Sequence, residues 1–441
     1  MTRSARPVGC GIDFGTSNSS ISIAYADRVE VLGIGPERAS KTLPSFVYLH
    51  RGGRRAAGDD AVRTFLRSGH EKTDCWKCPL APYGWDTDCR QYRKGGGCND
   101  ARLLSGVKHE LAKLGFAGTN SWATDFSVGS LVSVVLKRLK DEVDSAAGTP
   151  VGAVVLGHPV VFAGEDPDDR AASRTEAFRR LEQAAEQAGF TEIAFLPEPA
   201  AAVIGEQAHP GVEIAVDFGG GTYDVAVLDS RSGEPRIAAT SGIAIGGEIL
   251  DGVLFETLVG PALGLDTLPN WLFNEMRTAS SVRLLMADPG IPAILSRIGG
   301  AGAEMAHSLL YEGQAYDFYK AIESAKIALS NHEAAEIEFA PLNLHVTVRR
   351  SAFESMIRPE LKQVALTTRR ALSEAGIGAR EVDRVLLTGG SAYIPAFRAE
   401  LASTFGAERL EQRDAFTAVV HGLGVRAQHL WGVERVSPPR A

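Results

Sequence analysis

Residues 213–229 read E-I-A-V-D-F-G-G-G-T-Y-D-V-A-V-L-D, an apolar run ending in aspartate, a Gly-Gly-Gly-Thr turn and a second apolar run. Each run has strand length, and the glycines supply the backbone freedom of a tight turn, so the stretch predicts a β-hairpin with a polar tip. The same design occurs about 200 residues earlier, at Val8 to Tyr25: a strand, the turn Gly15-Thr16-Ser17-Asn18, then a strand in which Ile21, Ile23 and Tyr25 alternate. A unit of this kind met twice implies an internal duplication of one β-rich core.

Outward from the hairpins, strand and helix patterns alternate. Strands are predicted at 151–156, 193–196 and 384–387. Helices are predicted at 169–188, 200–207, 249–259, 321–330, 351–375 and 392–404. Pro197-Glu198-Pro199 reads as a turn whose prolines favour a helix start. Such alternation indicates an α/β fold with helices covering the sheets. Residues 52–100, rich in Gly, Arg and Cys, read as an insertion, Gly299 to Gly302 as a flexible stretch, and Ser437 to Ala441 as an unordered tail.

At 441 residues the chain has length for about three domains or two large lobes, so a sizeable core is available. With 44% hydrophobic and 23% charged residues it has the composition of a folded globular protein rather than a disordered one. The formal net charge of −8 and pI near 5.8 argue against general nucleic-acid binding. The apolar stretch after Arg3 and Arg6 is broken by Asp13, and no apolar run approaches the roughly 18 residues of a membrane span. The expectation is a cytoplasmic protein with no leader and no membrane partner.

The chemistry is concentrated at the turns. A tip of small residues exposes backbone N–H groups that bind phosphate oxygens. Both tips follow a strand-end carboxylate, Asp13 or Asp217, placed to hold a hydrated Mg²⁺ between phosphates. A third turn, in L-L-T-G-G-S-A-Y-I-P at 386–395, has glycines that allow close approach of a flat group such as adenosine.

These segments, G-I-D-F-G-T-S-N-S, D-F-G-G-G-T-Y-D and T-G-G-S-A-Y-I-P, in this order, resemble the two phosphate motifs and the adenosine motif of the actin-like ATPase superfamily. Within it the resemblance is to the DnaK-type heat-shock chaperones, over roughly residues 8–430. G-H-P-V-V-F at 157–162 and H-G-L-G-V at 421–425 are similar to the two connecting segments, P-E-P-A-A-A at 197–202 to the family's Asn-Glu-Pro-Thr-Ala-Ala, and E-S-A-K-I-A-L-S at 323–330 to its nucleoside-clasping helix. The resemblance implies two lobes of duplicated ribonuclease-H-like architecture around a deep nucleotide cleft. Lobe I would be 1–211 with the Cys-rich insertion at 71–100, lobe II 212–405 with a helical subdomain, and 406–441 a return to lobe I and a tail.

By the same resemblance, Asp13 and Asp217 would organise the Mg²⁺ shell through water. Gly15, Thr16, Ser17, Asn18, Gly219, Gly220, Gly221 and Thr222 would surround the phosphates, and Gly246, Gly247, Glu323, Lys326, Ser330, Gly389, Gly390 and Ser391 the rest of the nucleotide. Lys108 would stabilise charge on the γ-phosphate, Glu198 would orient the attacking water, Asp217 and Asp224 would assist, and Pro159 would relay the nucleotide state. Plainer readings stand beside these: Glu198 as a helix-start carboxylate, Lys108 as a surface lysine, Glu323 and Lys326 as an i, i+3 surface pair. His158 replaces a small apolar residue and reads as a structural substitution.

The implied function is an ATP-binding, slowly hydrolysing switch that signals its nucleotide state to a protein partner. A non-hydrolysing ATP-dependent module and a small-molecule kinase are the alternatives. The chain ends soon after the second connecting segment, so the expectation is the short, YegD-like branch without a peptide-binding domain.

The largest departure from the family is D-C-W-K-C-P-L-A-P-Y-G-W-D-T-D-C-R-Q-Y-R-K-G-G-G-C at 74–98. Cys75, Cys78, Cys89 and Cys98 could supply four thiolates to a structural Zn²⁺, hold an iron–sulfur cluster, or remain as redox-active or unbound thiols. Trp76, Tyr83, Trp85 and Tyr92, interleaved with basic residues, would either form a partner-binding knob or pack the insertion. Metal analysis of the purified chain decides among them: about one zinc per chain is expected for the four-thiolate site, iron with visible absorbance marks a cluster, and neither metal leaves the thiols unbound.

Overall fold

The computed structural model describes residues 6–35, 38–68, 72–73, 98–122, 124–204, 210–233, 236–287, 290–312, 314–414 and 417–432. Its frame is two sheets that share a five-strand order, the first carrying a sixth short strand, Leu43–Pro44, beside Asn18–Ala24. In the first, β1 (Gly9–Phe14), β2 (Asn18–Ala24) and β3 (Val29–Val31) form an antiparallel meander, and β4 (Ala153–His158) and β5 (Glu192–Pro197) extend it in parallel from β1, giving the order β5-β4-β1-β2-β3. In the second, β6 (Val212–Phe218), β7 (Tyr223–Asp229) and β8 (Arg236–Ile243) form the meander and β9 (Arg384–Thr388) and β10 (Leu410–Gln412) the parallel extension, in the order β8-β7-β6-β9-β10. The duplication inferred from the two hairpins is therefore one of whole sheets. The central strands are apolar on both faces because helices cover both, as parallel extension requires.

In the first lobe α1 (Val128–Ala147), capped by Ser127 whose hydroxyl accepts from Ser130 N, packs beside α2 (Arg170–Ala188), whose cap Asp169 accepts from Ala172 N. Further along the chain come α3 (Glu198–Ile204), α4 (Gly247–Leu254), α5 (Ala315–Leu329), α6 (Arg358–Ala375), α7 (Pro395–Phe405) and α8 (Ala418–Trp431). Two of these are exchanged. Helix α3 leaves the first sheet yet packs against β6, β7 and β9 of the second, where Ala200 and Val203 join Ala215, Ala226, Leu228 and Leu386. Helix α8 leaves the second sheet and lies on β1, β2, β3 and β4 of the first.

Where α3 and α8 cross, the sequence is small for a physical reason. A Cβ on Gly422 would overlap the Ala201 carbonyl. On its other side α8 lies so close to the first sheet that a Cβ on Gly11 of β1 would overlap the backbone of Leu423 and Gly424, and the Ser22 hydroxyl of β2 donates to Val420 O at 2.6 Å.

Three sequence expectations are corrected. Gly299 to Gly302 is not a flexible stretch: Gly299 and Gly300, both at positive φ, break one helix (Ile291–Ile298) and begin another (Gly300–Tyr311), and Gly302 packs against Gly264 and Thr267. The helix predicted at 351–375 is interrupted at Ile357, because Pro359 brings no N–H and a new helix starts there. The insertion is narrower than 52–100: Arg55–Ala57, Val47–His50 and Ala101–Leu104 form a three-stranded sheet under the helix Asp59–Ser68. Beyond it, Lys72–Thr73 pairs antiparallel with Cys98–Asn99, so the chain leaves and re-enters at one point.

The helix crossing leaves no room for a side chain, so Gly422→Val should cost about 2–3 kcal/mol through overpacking. Denaturant unfolding reads this as a lowered midpoint with unchanged slope.

Candidate functional site

The exchanged helices hold the two sheets with their hairpin tips face to face. A Cβ on Gly221 would stand 2.9 Å from Thr16 Oγ1 and 2.6 Å from His109 Nε2, and one on Gly220 would stand 3.1 Å from Ser17 Oγ. Each tip is braced from behind. Ser45 donates its hydroxyl to Gly15 O at 2.8 Å and its amide to Ser17 O at 2.8 Å. Gly247 N and Glu248 N donate to Gly219 O and Gly220 O at 3.0 and 2.8 Å, and the Ser391 hydroxyl donates to Gly219 O at 3.0 Å. Gly246 needs to be glycine because a Cβ would overlap the Gly220 backbone.

The third turn closes on the same place. Gly389, at φ +82°, lies against Phe218 O, and its Cβ position is 2.6 Å from Asp217 Oδ1; Thr388 Oγ1 donates to that carboxylate at 3.3 Å. Lys326, on α5 and buried, donates to Gly247 O at 2.9 Å and to Asp251 Oδ2 at 2.7 Å. Glu323 is half-buried and takes Lys320 at 2.7 Å, while Lys326 turns to Asp251, so the i, i+3 pair of the plainer reading is not formed; Ser330 caps the end of α5. Asn18 opens β2 and pairs with Pro44, and Gly390 begins the short turn after Gly389.

Between the tips the charges are of one dominant sign. Lys108, on a 3₁₀ turn (Val107–Glu110), donates to Glu198 Oε1 at 2.7 Å. Glu198 opens α3 and is 4% exposed. Lys108 is thus not the surface lysine of the plainer reading, whereas Glu198 does stand at a helix start, buried there against Lys108. Burial, then the charges of Glu198 and Asp217, push the Asp13 carboxyl up to about 8 against the pull of Lys108. Burial, then Glu198 and Asp224, push Asp217 up to about 7. Burial works against the Lys108 ammonium, yet Glu198 and Asp13 outweigh it and raise its pKa.

Asp224 has both oxygens engaged. Oδ1 accepts from Val160 N at 2.9 Å and Val161 N at 3.2 Å, and Oδ2 from Thr222 Oγ1 at 2.6 Å. Burial still pushes its carboxyl up to about 7. Through it the second hairpin grips the segment after Pro159. His158 packs edge-on against Phe178 at 4.9 Å and its pKa is lowered by burial, the surroundings of a structural substitution.

A cluster with one ammonium among four carboxylates, Glu198 and Asp224 buried and Asp13 and Asp217 half-buried, fits a divalent cation bound through water. Among the described residues no group of three or more His, Cys, Asp or Glu is arranged to hold a metal directly. The cysteine reading lies outside the described residues at Cys75, Cys78 and Cys89, and at Cys98 only the backbone pairing with Thr73 is described. Among the described residues no helix is long and apolar enough to cross a membrane.

Four contributors escaped the sequence reading: His109, whose Nδ1 lies 3.3 Å from Glu248 Oε2 across the cleft, Glu248 itself, Asp251 and Thr388. The available signals were weak: His109 adjoins Lys108, and Asp251 lies one helical turn beyond Gly247 on α4.

Two duplicated sheets, exchanged helices and a cleft between hairpin tips are the two-lobed fold of the actin-like ATPases. The Hsp70 protein family model matches residues 9–262 and 314–438, and the chain belongs to the Hsp70 family. It is 26% identical to the chaperone protein HscA of Klebsiella pneumoniae over 97% of this chain and 59% of that protein. It is likewise 26% identical to HscA of Photorhabdus laumondii and to an HscA homolog of Burkholderia mallei, each over 97% of this chain and 59% of the relative. The chain thus spans less than two thirds of the length of these curated relatives.

The raised carboxyls have a measurable sign in nucleotide-free, chelator-treated protein. A carboxyl whose folded pKa exceeds its unfolded value of roughly 4 contributes stability that is complete below that value and lost as pH rises through the folded one. With Asp13 at about 8 and Asp217 at about 7, the urea midpoint should fall between pH 5 and pH 8.5. Asp13→Asn and Asp217→Asn should each flatten that slope.

Proposed function

We propose that the cleft binds ATP with magnesium, hydrolyses it slowly, and reports its nucleotide state to a protein partner through the angle between the lobes. The observation that carries this reading is the confrontation of the two tips over the Lys108–Glu198 pair. Backbone N–H groups of 15–18 and 220–222 cradle the phosphates, with the Thr16, Ser17 and Thr222 hydroxyls beside them, while the Gly219 N–H closes its own turn on Thr222 O at 3.0 Å. Asp13 and Asp217 would hold a magnesium ion through water, which would supply positive charge against the phosphate oxygens.

The protein's own part is positioning and electrostatics. Lys108 offsets charge on the transferred group, and Glu198, held by Lys108, orients the attacking water. Gly246, Gly247, Lys326, Gly389 and Ser391 shape the nucleoside end. Asp224, by gripping the 160–161 amides, ties the Pro159 segment to the second tip and so couples phosphate occupancy to the lobes.

Asp13→Ala and Asp217→Ala should each abolish Mg–ATP binding or turnover; unchanged hydrolysis in both overturns the reading. Lys108→Ala should keep nucleotide binding and slow single-turnover phosphate release by about 10²–10³-fold, the usual cost of one charge-stabilising donor. Tight ATP binding with no phosphate release from the unaltered chain would favour the non-hydrolysing module. Turnover stimulated by a hydroxylated metabolite would favour the kinase.

A further inference from the structure

The segment that carries Lys108 has little regular structure of its own. Between the strand ending at Leu104 and the one starting at Gly118 its only regular element is the 3₁₀ turn Val107–Glu110. Its carbonyls need partners from elsewhere, because buried backbone oxygens left unpaired cost about 1–3 kcal/mol each. One side chain supplies four of them. Arg180, on α2 and 6% exposed, donates from Nη1 to Glu110 O at 2.7 Å, Leu111 O at 2.9 Å and Lys113 O at 3.2 Å, and from Nη2 to Phe116 O at 2.7 Å. Its Nε faces Glu176 Oε1 at 2.7 Å, which fixes the plane of the guanidinium from its own helix.

We propose that Arg180 is a positioning residue for the reaction: it sets the turn that presents Lys108 to Glu198 and His109 to Glu248, without touching the nucleotide. A guanidinium suits this task because its planar fork directs five N–H groups at once, whereas an ammonium has three donors at one point. The four carbonyls belong to residues just C-terminal to Lys108, so the fork fixes the exit of the turn. The register of the Lys108–Glu198 contact follows from that exit. His109 extends the same turn to the second lobe, so Arg180 also bears on the cross-cleft contact with Glu248.

The inference rests on the ATPase reading above, and a double-mutant cycle in the full chain separates the two. Single-turnover phosphate release and ADP affinity are measured for the unaltered chain, Arg180→Ala, Lys108→Ala and the double variant. Arg180→Ala should slow release about 10- to 100-fold, the scale of a roughly 1 Å misplacement. ADP affinity should stay within about 3-fold, because an interaction with the transferred group alone leaves product binding intact. The double variant should be no slower than Lys108→Ala, since the two residues act as one unit. A merely structural arginine would instead give additive losses and weaker ADP binding, and either result overturns the proposal, as does release from Arg180→Ala at the unaltered rate.

If Arg180→Ala does not fold, Arg180→Lys replaces it in the cycle. Amide exchange over 107–116 should then accelerate together with slowed release; normal exchange and normal release overturn the proposal. Release unchanged in Lys108→Ala overturns the ATPase reading and this inference with it. Slow Lys108→Ala with fast Arg180→Ala overturns this inference alone.

Discussion

The close crossing of α3 and α8 is the contact on which the rest of the structure depends. Each helix is covalently the end of one sheet and packs as the cover of the other, and they meet where Gly422 lies against the Ala201 carbonyl. The two sheets are therefore tied through both helices over their central strands, while the β1–β2 and β6–β7 tips face each other. Small residues at Gly11, Gly422 and Gly424 set how near the sheets come, and that nearness sets the gap between the tips. The cleft is a consequence of helix packing before it is a matter of any polar residue.

Within the cleft, burial and like charge act together. Asp13, Asp217, Asp224 and Glu198 share a space with one ammonium, and three of the carboxyls are pushed up to between about 7 and 8. A structure selected for stability alone would not bury such a group. The arrangement concentrates acidic groups around one ammonium, a cluster that added positive charge would relieve.

Much of the frame was legible in the sequence because its signals are local. The two hairpins, the strand entering Thr388-Gly389-Gly390-Ser391 and the duplication all follow from apolar runs punctuated by glycine, and the sheets bear them out. What was missed depends on distant partners. Glu323 and Lys326 read as neighbours at i, i+3, yet Asp251, 75 positions away in sequence, claims the lysine. His109 carries no motif of its own, and only the approach of α4 gives it Glu248. Gly299 and Gly300 look flexible because their run has no side chains, whereas positive φ at both is what the junction of two helices requires. Pro359 was a visible stop signal inside the predicted helix at 351–375, and its missing N–H explains the restart after Ile357.

The two-stranded neck Lys72–Thr73 and Cys98–Asn99 has an evolutionary implication. Because the backbone departs and returns side by side, the entropy of closing the excursion is met at its base and grows only slowly with the number of residues carried beyond it. Such a junction tolerates grafts: whatever stands between Thr73 and Cys98 can be lengthened, exchanged or lost by a lineage while the strand entering the Lys108 turn keeps its register with Val47–His50. A socket of this kind lets one nucleotide-cleft chassis acquire new attachments without renegotiating its interior.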